Sequence, residues 1–459
     1  MKLKYVTYIM IILTALSGCE ILDLEPKSQL ASETAMKDKR GISSAINGAY
    51  DVLQSAAISQ DVLVFGDMLA DNLIHIGTKK EYRQISDNRI VAENVYVEGL
   101  WNRSYDGINR VNNILVQIPK VSDITDEERR RFAGECYFLR AYNYFNLVKF
   151  FGGVPLRKDP TSSIDPVELN KERATKEATY AFIIEDLNRA IDNLEGISIE
   201  SVYGNYYAAK ALMARVKLYI GEFADAATHA EDVISFGPYS LEQGSTGFAN
   251  IFNEESTSSE VIWQIDFVND DETNALADWF LPNGRFEVAA WESYDKESSI
   301  ADEYGVNDIR KSVTVKSQSY EGREEFYCAK FDNIETGNDN VVVFRLGEMY
   351  LIAAEALNEQ GYVADGKAFD YLNAIRDRAN VDSLLSGELS SQDKFATAIE
   401  HERRLELAFE GHRFFDLRRT DRIDAVLPNI GTLKENNWLL PIPQSEMDTN
   451  EQMEQNGSY

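Results

Sequence analysis

The chain has 459 residues, 44% of them hydrophobic, and carries 46 Lys plus Arg against 76 Asp plus Glu, a formal net charge of −30. That length and apolar share allow one large domain or two to three ordinary ones, and they exclude global disorder. The charge repels phosphate backbones and excludes nucleic acid as a partner.

Lys2 and Lys4 form a short positive start. Val6 to Ala15 is an apolar run too short to span a bilayer as a stable helix, and Leu16-Ser17-Gly18-Cys19 follows. This order closely resembles the lipobox of bacterial lipoproteins. Residues 1–18 therefore read as a signal peptide, Cys19 as the lipidated start of the mature chain, and 19–26 as its tether. An ordinary signal peptide with a chance cysteine is the alternative. Several acyl chains on Cys19, at about 0.8 kcal/mol per buried CH₂, would hold the protein firmly on a membrane. Cys136 and Cys328 are the other cysteines. Two set no disulfide framework, though they could pair, and Cys136 lies in an apolar helical pattern as a small core residue.

Residues 31–58 are rich in Ala and Ser, with Ala45, Ala49, Val52 and Leu53 at helical spacing. Residues 61–75 carry Val62, Phe65, Met68 and Leu69, a second helix pattern that ends in Ala70-Asp71-Asn72. Residues 77–93 are polar and read as a loop. Trp101, Tyr105, Ile108 and Asn112 recur at helical intervals into Leu115, and Pro119 closes that element. Thr125-Asp126-Glu127-Glu128 opens a helix with a capping-box pattern, which Gly152-Gly153 and Pro155 end. Lys176 to Leu194 is amphipathic again.

Asn205 to Ile220 and Ala224 to about Phe236 form two helices around Gly221, with Pro238 after them, and resemble a tetratricopeptide repeat. Phe344 to Ala379, turning at Gly361, gives a second copy. Residues 134–151 with 175–194 give a third, split by a long loop. Such pairs stack to bury a core that one pair cannot supply. Between them, residues 240–340 lose helical periodicity; Val261 to Phe267 alternates as a strand, and Trp279, Trp291 and Tyr294 sit among loops.

Ile399 to Arg419 concentrates charge and aromatic surface. It reads as a helix stopped by Gly411, with Glu400 reaching Arg404 and Glu410 reaching Arg413 at i,i+4 and i,i+3 spacing. Its charged residues Arg403, Glu406, Glu410, Arg413 and Asp416 read as architectural, paired with one another and with neighbouring helices so that buried charge is compensated. Phe409, Phe414 and Phe415 anchor it.

Little points to catalysis. With 76 acids, carboxylate pairs arise by chance. His75, His229, His401 and His412 show no metal-ligand spacing, and no G-x-S-x-G elbow, P-loop or dinucleotide fingerprint occurs. The expectation is a binding protein, not an enzyme, with no cofactor. The run Asn269-Asp270-Asp271-Glu272 clusters the oxygens that calcium takes, with a solvated loop as the commoner reading.

Four stretches, together with the lipobox, resemble the SusD/RagB outer-membrane nutrient-binding lipoproteins of Bacteroidetes. They are Phe138-Leu139-Arg140-Ala141 through Gly153-Val154-Pro155-Leu156; Arg345-Leu346-Gly347-Glu348-Met349-Tyr350-Leu351 through Ala354-Glu355-Ala356; Gly411-His412-Arg413-Phe414-Phe415-Asp416-Leu417-Arg418-Arg419; and Leu440-Pro441-Ile442-Pro443 with Gln455-Asn456-Gly457-Ser458-Tyr459. The last reads Gly-Ser where Pro-Gly is common in the family. The resemblance implies a mainly α fold, a right-handed superhelix of tetratricopeptide-like pairs with the loop-rich variable region packed on it. Residues 27–240 would be the N-terminal helical region and 241–459 the C-terminal region, with variable loops at 240–340.

It further implies a lipid-anchored place on the outer face of the outer membrane, a TonB-dependent β-barrel transporter as partner, and an oligosaccharide, or in some relatives a peptide, as ligand. Sugar rings need flat apolar faces with amides, acids and arginines beside them. Asp71, Asn72, Tyr82 and Arg83 correspond by position to a segment of the family's ligand face, and Trp279, Trp291 and Tyr294 join them from the variable region. Trp101 is a further candidate, although its helical spacing reads as core. A helical-repeat adaptor that binds only protein is the alternative, and a surface glycosidase is a third reading.

Overall fold

The computed structural model describes residues 34–161, 165, 169–252, 258–267, 273–290, 299–320, 322–427, 436, 438–457 and 459. Cys19, the acidic run 269–272, Trp291 and Tyr294 lie outside these residues. Helix α1 (Lys39–Gln54) begins where Asp38 accepts a hydrogen bond from the Gly41 N–H, and it buries Ile42, Ile46, Ala49, Val52 and Leu53 at helical spacing. Helix α2 (Asp61–Met68) is buried on every side. Helix α3 (Lys80–Ser86) stands in the polar stretch expected to be a loop. Tyr82, Ile85 and Ser86 give it a buried face too short to register as periodicity.

Helix α4 (Val95–Gln117) is capped by Asn94 and runs into a 3₁₀ turn containing Pro119. Helix α5 (Asp126–Phe151) opens with the full reciprocal capping box of Thr125 and Glu128 and stops at Gly152, φ +75°. It packs on α4 and on α6 (Lys176–Leu194). Arg140 of α5 grips Asp186 of α6 through two hydrogen bonds of 2.7 Å, both partners buried. Helices α7 (Tyr206–Tyr219) and α8 (Phe223–Phe236) turn at Gly221, φ +77°. Helices α9 (Leu346–Gln360) and α10 (Lys367–Arg378) form the next pair, and α8 packs against α9. The fold is thus mainly α, built of stacked tetratricopeptide-like pairs. Cys136 and Cys328 are both buried and free, so they form no disulfide.

Among the described residues, the loop-rich segment and its flanks form three antiparallel two-stranded sheets. They are β1 (Leu73–His75) with β3 (Val288–Ala290), β2 (Val261–Ile265) with β6 (Val341–Arg345), and β4 (Val315–Tyr320) with β5 (Arg323–Cys328). The β1–β3 register, Leu73 opposite Ala290, stitches the variable segment to the N-terminal helices.

The 399–419 stretch is two helices, not one. Helix α11 (Gln392–Glu406) ends five residues before Gly411, and α12 (Arg413–Arg419) follows a turn. In that turn Phe409 and Gly411 have φ of +65° and +80°. The break has a tertiary cause. The Gly411 N–H donates to Asp67 at 2.7 Å, and a Cβ on Gly66 would overlap the Gly411 carbonyl, so the turn lies flat against α2.

The expected Glu400–Arg404 and Glu410–Arg413 pairs do not form, although other pairs within the stretch do. Glu400 bonds Arg422 at 3.0 Å and lies 3.4 Å from Arg413, while Arg404 goes to Asp71 and Glu410 to Lys330 and Arg345. Burial sets the partners here. At a buried position a charge needs several donors, and one helix neighbour cannot supply them. Glu406 receives Arg345, Arg378 and Arg310, Glu402 receives Arg310 and Arg376, and Glu260 receives Arg345 and Arg378. Glu410 takes Lys330 and Arg345, and Asp308 takes Arg310. Five carboxylates therefore meet five cations, a net charge of zero. Burial pushes the Glu406 carboxyl up, but Arg378, Arg345 and Arg310 outweigh it and hold it well below the usual range. Arg403 bonds Asp416 at 2.9 Å, and Arg419 joins Asp416 to Glu355.

Candidate functional site

The β1–β3 sheet, α3, the start of α4 and the short helix Leu276–Phe280 bring three aromatic rings together. Tyr82 lies 4.0 Å, centroid to centroid, from Tyr96 and 4.6 Å from Trp279, edge-on to the latter at 71°. Lys79 Nζ stands 4.3 Å from the Trp279 centroid, 5.5 Å from Tyr82 and 5.7 Å from Tyr96, a cation shared by three π faces. The Arg285 guanidinium lies 5.8 Å from the Trp279 ring and is held by Asp278. Beneath them, Tyr82 Oη donates to the carboxylate of Asp61, a buried residue of α2.

Burial raises the Asp61 carboxyl to about 7, against the opposing pull of the Tyr82 hydroxyl and Lys79. Burial and then Asp61 push the Tyr82 phenol up. His75 lies 5.9 Å from the Tyr82 ring, and burial lowers its pKa against the opposing pull of Glu287. The outcome is a half-exposed Tyr96 with Lys79 and Arg285 around it, over a buried base of Tyr82, Trp279 and Asp61. Aromatic surface flanked by amine, guanidinium and carboxylate groups suits a ligand with apolar ring faces and many hydroxyls.

Several residues expected on a ligand face have other work. Asp71 takes Arg413 through Nε at 2.7 Å and Nη2 at 3.1 Å, and Arg404 Nη2 at 3.0 Å. Asn72 donates to Asp67 at 2.6 Å and accepts from Arg404 Nε at 3.1 Å. Both are buried with their oxygens committed, so they join the end of α2 to α11 and α12 and present nothing to a sugar. Trp101 is 2% exposed, wedged between Tyr105 and Phe151 at 5.1 Å each, and is core as its spacing suggested. Tyr82 and Trp279 are in the cluster but at 1% and 3% exposure their faces are covered, so they act as its base rather than as open platforms.

Arg83 is exposed beside the cluster, donating to the Gly77 carbonyl at 3.0 Å. Sequence reasoning missed Lys79, Tyr96, Arg285 and Asp61. Tyr96 had a signal, being an aromatic two residues past the Asn94 cap, where a loop becomes a helix. Arg285, after Leu281-Pro282-Asn283-Gly284, shared its turn with Trp279.

A cavity of about 600 Å³ lies elsewhere, among the end of α7, α9, α11 and α12, and shares no residue with the aromatic cluster. Its Glu355, Asp416, Arg403 and Arg419 pair with one another. Among the described residues no group of three His, Cys, Asp or Glu side chains is placed to hold a metal ion.

Known proteins resemble the chain along nearly its whole length. The SusD family model matches residues 321–459, and a second, described as starch-binding associating with outer membrane, matches residues 20–218. SusD-like protein P2 of Formosa agariphila is 27% identical and SusD-like protein P38 of the same organism 24%, each alignment covering 98% of both chains. Among solved structures, a laminarin binding SusD-like protein is 26% identical with a TM-score of 0.79, over 92% of this chain and 100% of that one. A SusD superfamily protein from Bacteroides vulgatus, 25% identical, also gives 0.79, over 92% and 99%. Surface glycan-binding protein A from Bacteroides thetaiotaomicron, 22% identical over 93% and 100% with a TM-score of 0.75, shares the fold.

Proposed function

Because the chain belongs to the SusD family, we propose that it is a cell-surface lipoprotein that captures an oligosaccharide and delivers it to a TonB-dependent β-barrel transporter. The observation that carries this reading is the end-to-end likeness to SusD-like proteins, which includes a laminarin-binding one with a TM-score of 0.79. Cys19 carries the lipid that anchors the chain to the outer membrane, facing outward. Tyr96, with Lys79, Arg83 and Arg285, forms the contact surface of the glycan face, and Trp291 and Tyr294 are further proposed ligand contacts. The protein binds without turning over its ligand, and the variable loops within 240–340 select the sugar.

Affinity gel electrophoresis of the mature protein through laminarin, starch, xylan and mannan tests capture. Retardation in at least one gel is expected, without release of reducing sugar. Copurification from outer membranes tests the transporter. No retardation in any gel, together with Cys19→Ala protein that stays in the membrane fraction, would overturn the proposal.

A further inference from the structure

Helix α1 carries Asn47, Asp51 and Gln54 at i, i+4 and i+7, on one side of the helix. Opposite stand Tyr203, from the loop before α7, and Gln264 and Asp266 at the end of β2. Between them is a cleft of about 190 Å³ that shares no residue with the Lys79–Tyr82–Trp279 cluster. Trp263 also lines it. This indole is fully buried, yet its Nε1–H has no acceptor among the described residues. Phe138 and Tyr142 stand edge-on to the Trp263 ring at 4.8 and 4.9 Å, so it cannot swing to find one.

A buried donor left without an acceptor is unfavourable, and the residue that carries it lines the cleft. The walls are held in place. Gln54 donates to the Asp266 carbonyl at 2.9 Å, and the Gly204 N–H donates to Tyr50 Oη at 2.7 Å. Tyr203 rests edge-on against Tyr50 at 5.4 Å, with the Arg131 guanidinium 5.7 Å from its ring.

We propose that this cleft is a second, separate subsite that takes one neutral sugar ring. Amides and carboxylates on both walls match hydroxyls, and the Tyr203 ring matches the apolar face of a pyranose. Asp51 and Asp266 line the cleft and no lysine or arginine does, which disfavours uronates and sulfated sugars. Its volume falls below the roughly 300 Å³ where drug-sized pockets begin, so it admits a ring rather than a chain. The proposal rests on the glycan-binding reading. It adds a second point of attachment, which raises the effective concentration of a long glycan at the first.

The test follows the five tryptophan indole N–H signals of the mature protein by ¹⁵N NMR, with Trp263 assigned through Trp263→Phe. Methyl glucoside, methyl galactoside and methyl mannoside are each titrated into the tens of millimolar. At least one is expected to shift the Trp263 signal, with affinity at least fivefold weaker in Asn47→Ala/Gln264→Ala and unchanged in Tyr96→Ala. A Trp263 signal that no glycoside moves overturns the subsite, as does a shift that persists in the double variant. If polysaccharide retardation survives that result, the subsite alone has failed. If retardation is also absent, the glycan reading has failed with it.

Discussion

Replacing Arg413 by alanine removes both guanidinium hydrogen bonds to the buried Asp71 carboxylate. Breaking a buried pair from one side costs about 3–5 kcal/mol, because the remaining charge is stranded. Asp71 keeps Arg404 Nη2 at 3.0 Å, so the expected loss is roughly 2–4 kcal/mol. Burial pushes the Asp71 carboxyl up, but Arg413 and Arg404 together hold it below its ordinary 3.8. A depressed acid stabilises the fold above its unfolded pKa and ceases to as pH falls through the folded one. The difference between wild type and Arg413→Ala is therefore full at pH 7 and shrinks below about pH 4. Urea unfolding followed by circular dichroism measures the loss, and a cycle with Asp71→Asn isolates the pair. An unchanged urea midpoint would refute the architectural role, as would lost glycan binding at an unchanged midpoint.

Glu406→Gln leaves three buried arginines facing a neutral amide and should lower stability by roughly 3–5 kcal/mol, seen as a lower melting temperature and poor soluble yield. Asp61 has a folded pKa raised from 3.8 to about 7, so its stabilising contribution is lost as pH rises. At 1.36 kcal/mol per unit, the loss between pH 5 and pH 8 is about 3 kcal/mol. Asp61→Asn should abolish that part of the pH dependence, so its melting temperature relative to wild type should improve from pH 5 to pH 8; parallel curves would contradict the assignment. Tyr96→Ala should weaken glycan affinity roughly tenfold, about 1.4 kcal/mol, in titration calorimetry with little change in melting temperature. Unchanged affinity would remove the cluster from the ligand face.

The scaffold was legible because its signals are local. The capping box at Thr125 and Glu128, the glycine turn at Gly221 and the periodicity of 176–194 each name an element without knowledge of the rest. What could not be read was partnership. Glu410 finds its cations at positions 330 and 345, and Asp71 finds its own at 404 and 413, distances along the chain that no spacing rule reaches. The same limit hid the aromatic cluster, whose members come from 79–96 and 279–285. Loop residence is also a poor proxy for exposure. Asp71, Asn72 and Trp279 all flank turns, and all are buried by what folds over them.

The contact of α2 with the Gly411 turn bears on how the chain is made. Every residue of α2 is buried, yet the N–H that meets Asp67 belongs to a residue 344 positions later. At about 5–20 residues per second, synthesis separates the two by roughly twenty seconds to a minute. Throughout that interval the face of α2 that meets the Gly411 turn lacks its partner. The contact is completed only when the last tenth of the chain, from Gly411 onward, has been made. A product truncated before residue 411 lacks this contact and is accordingly expected to be cleaved faster by protease than the full chain.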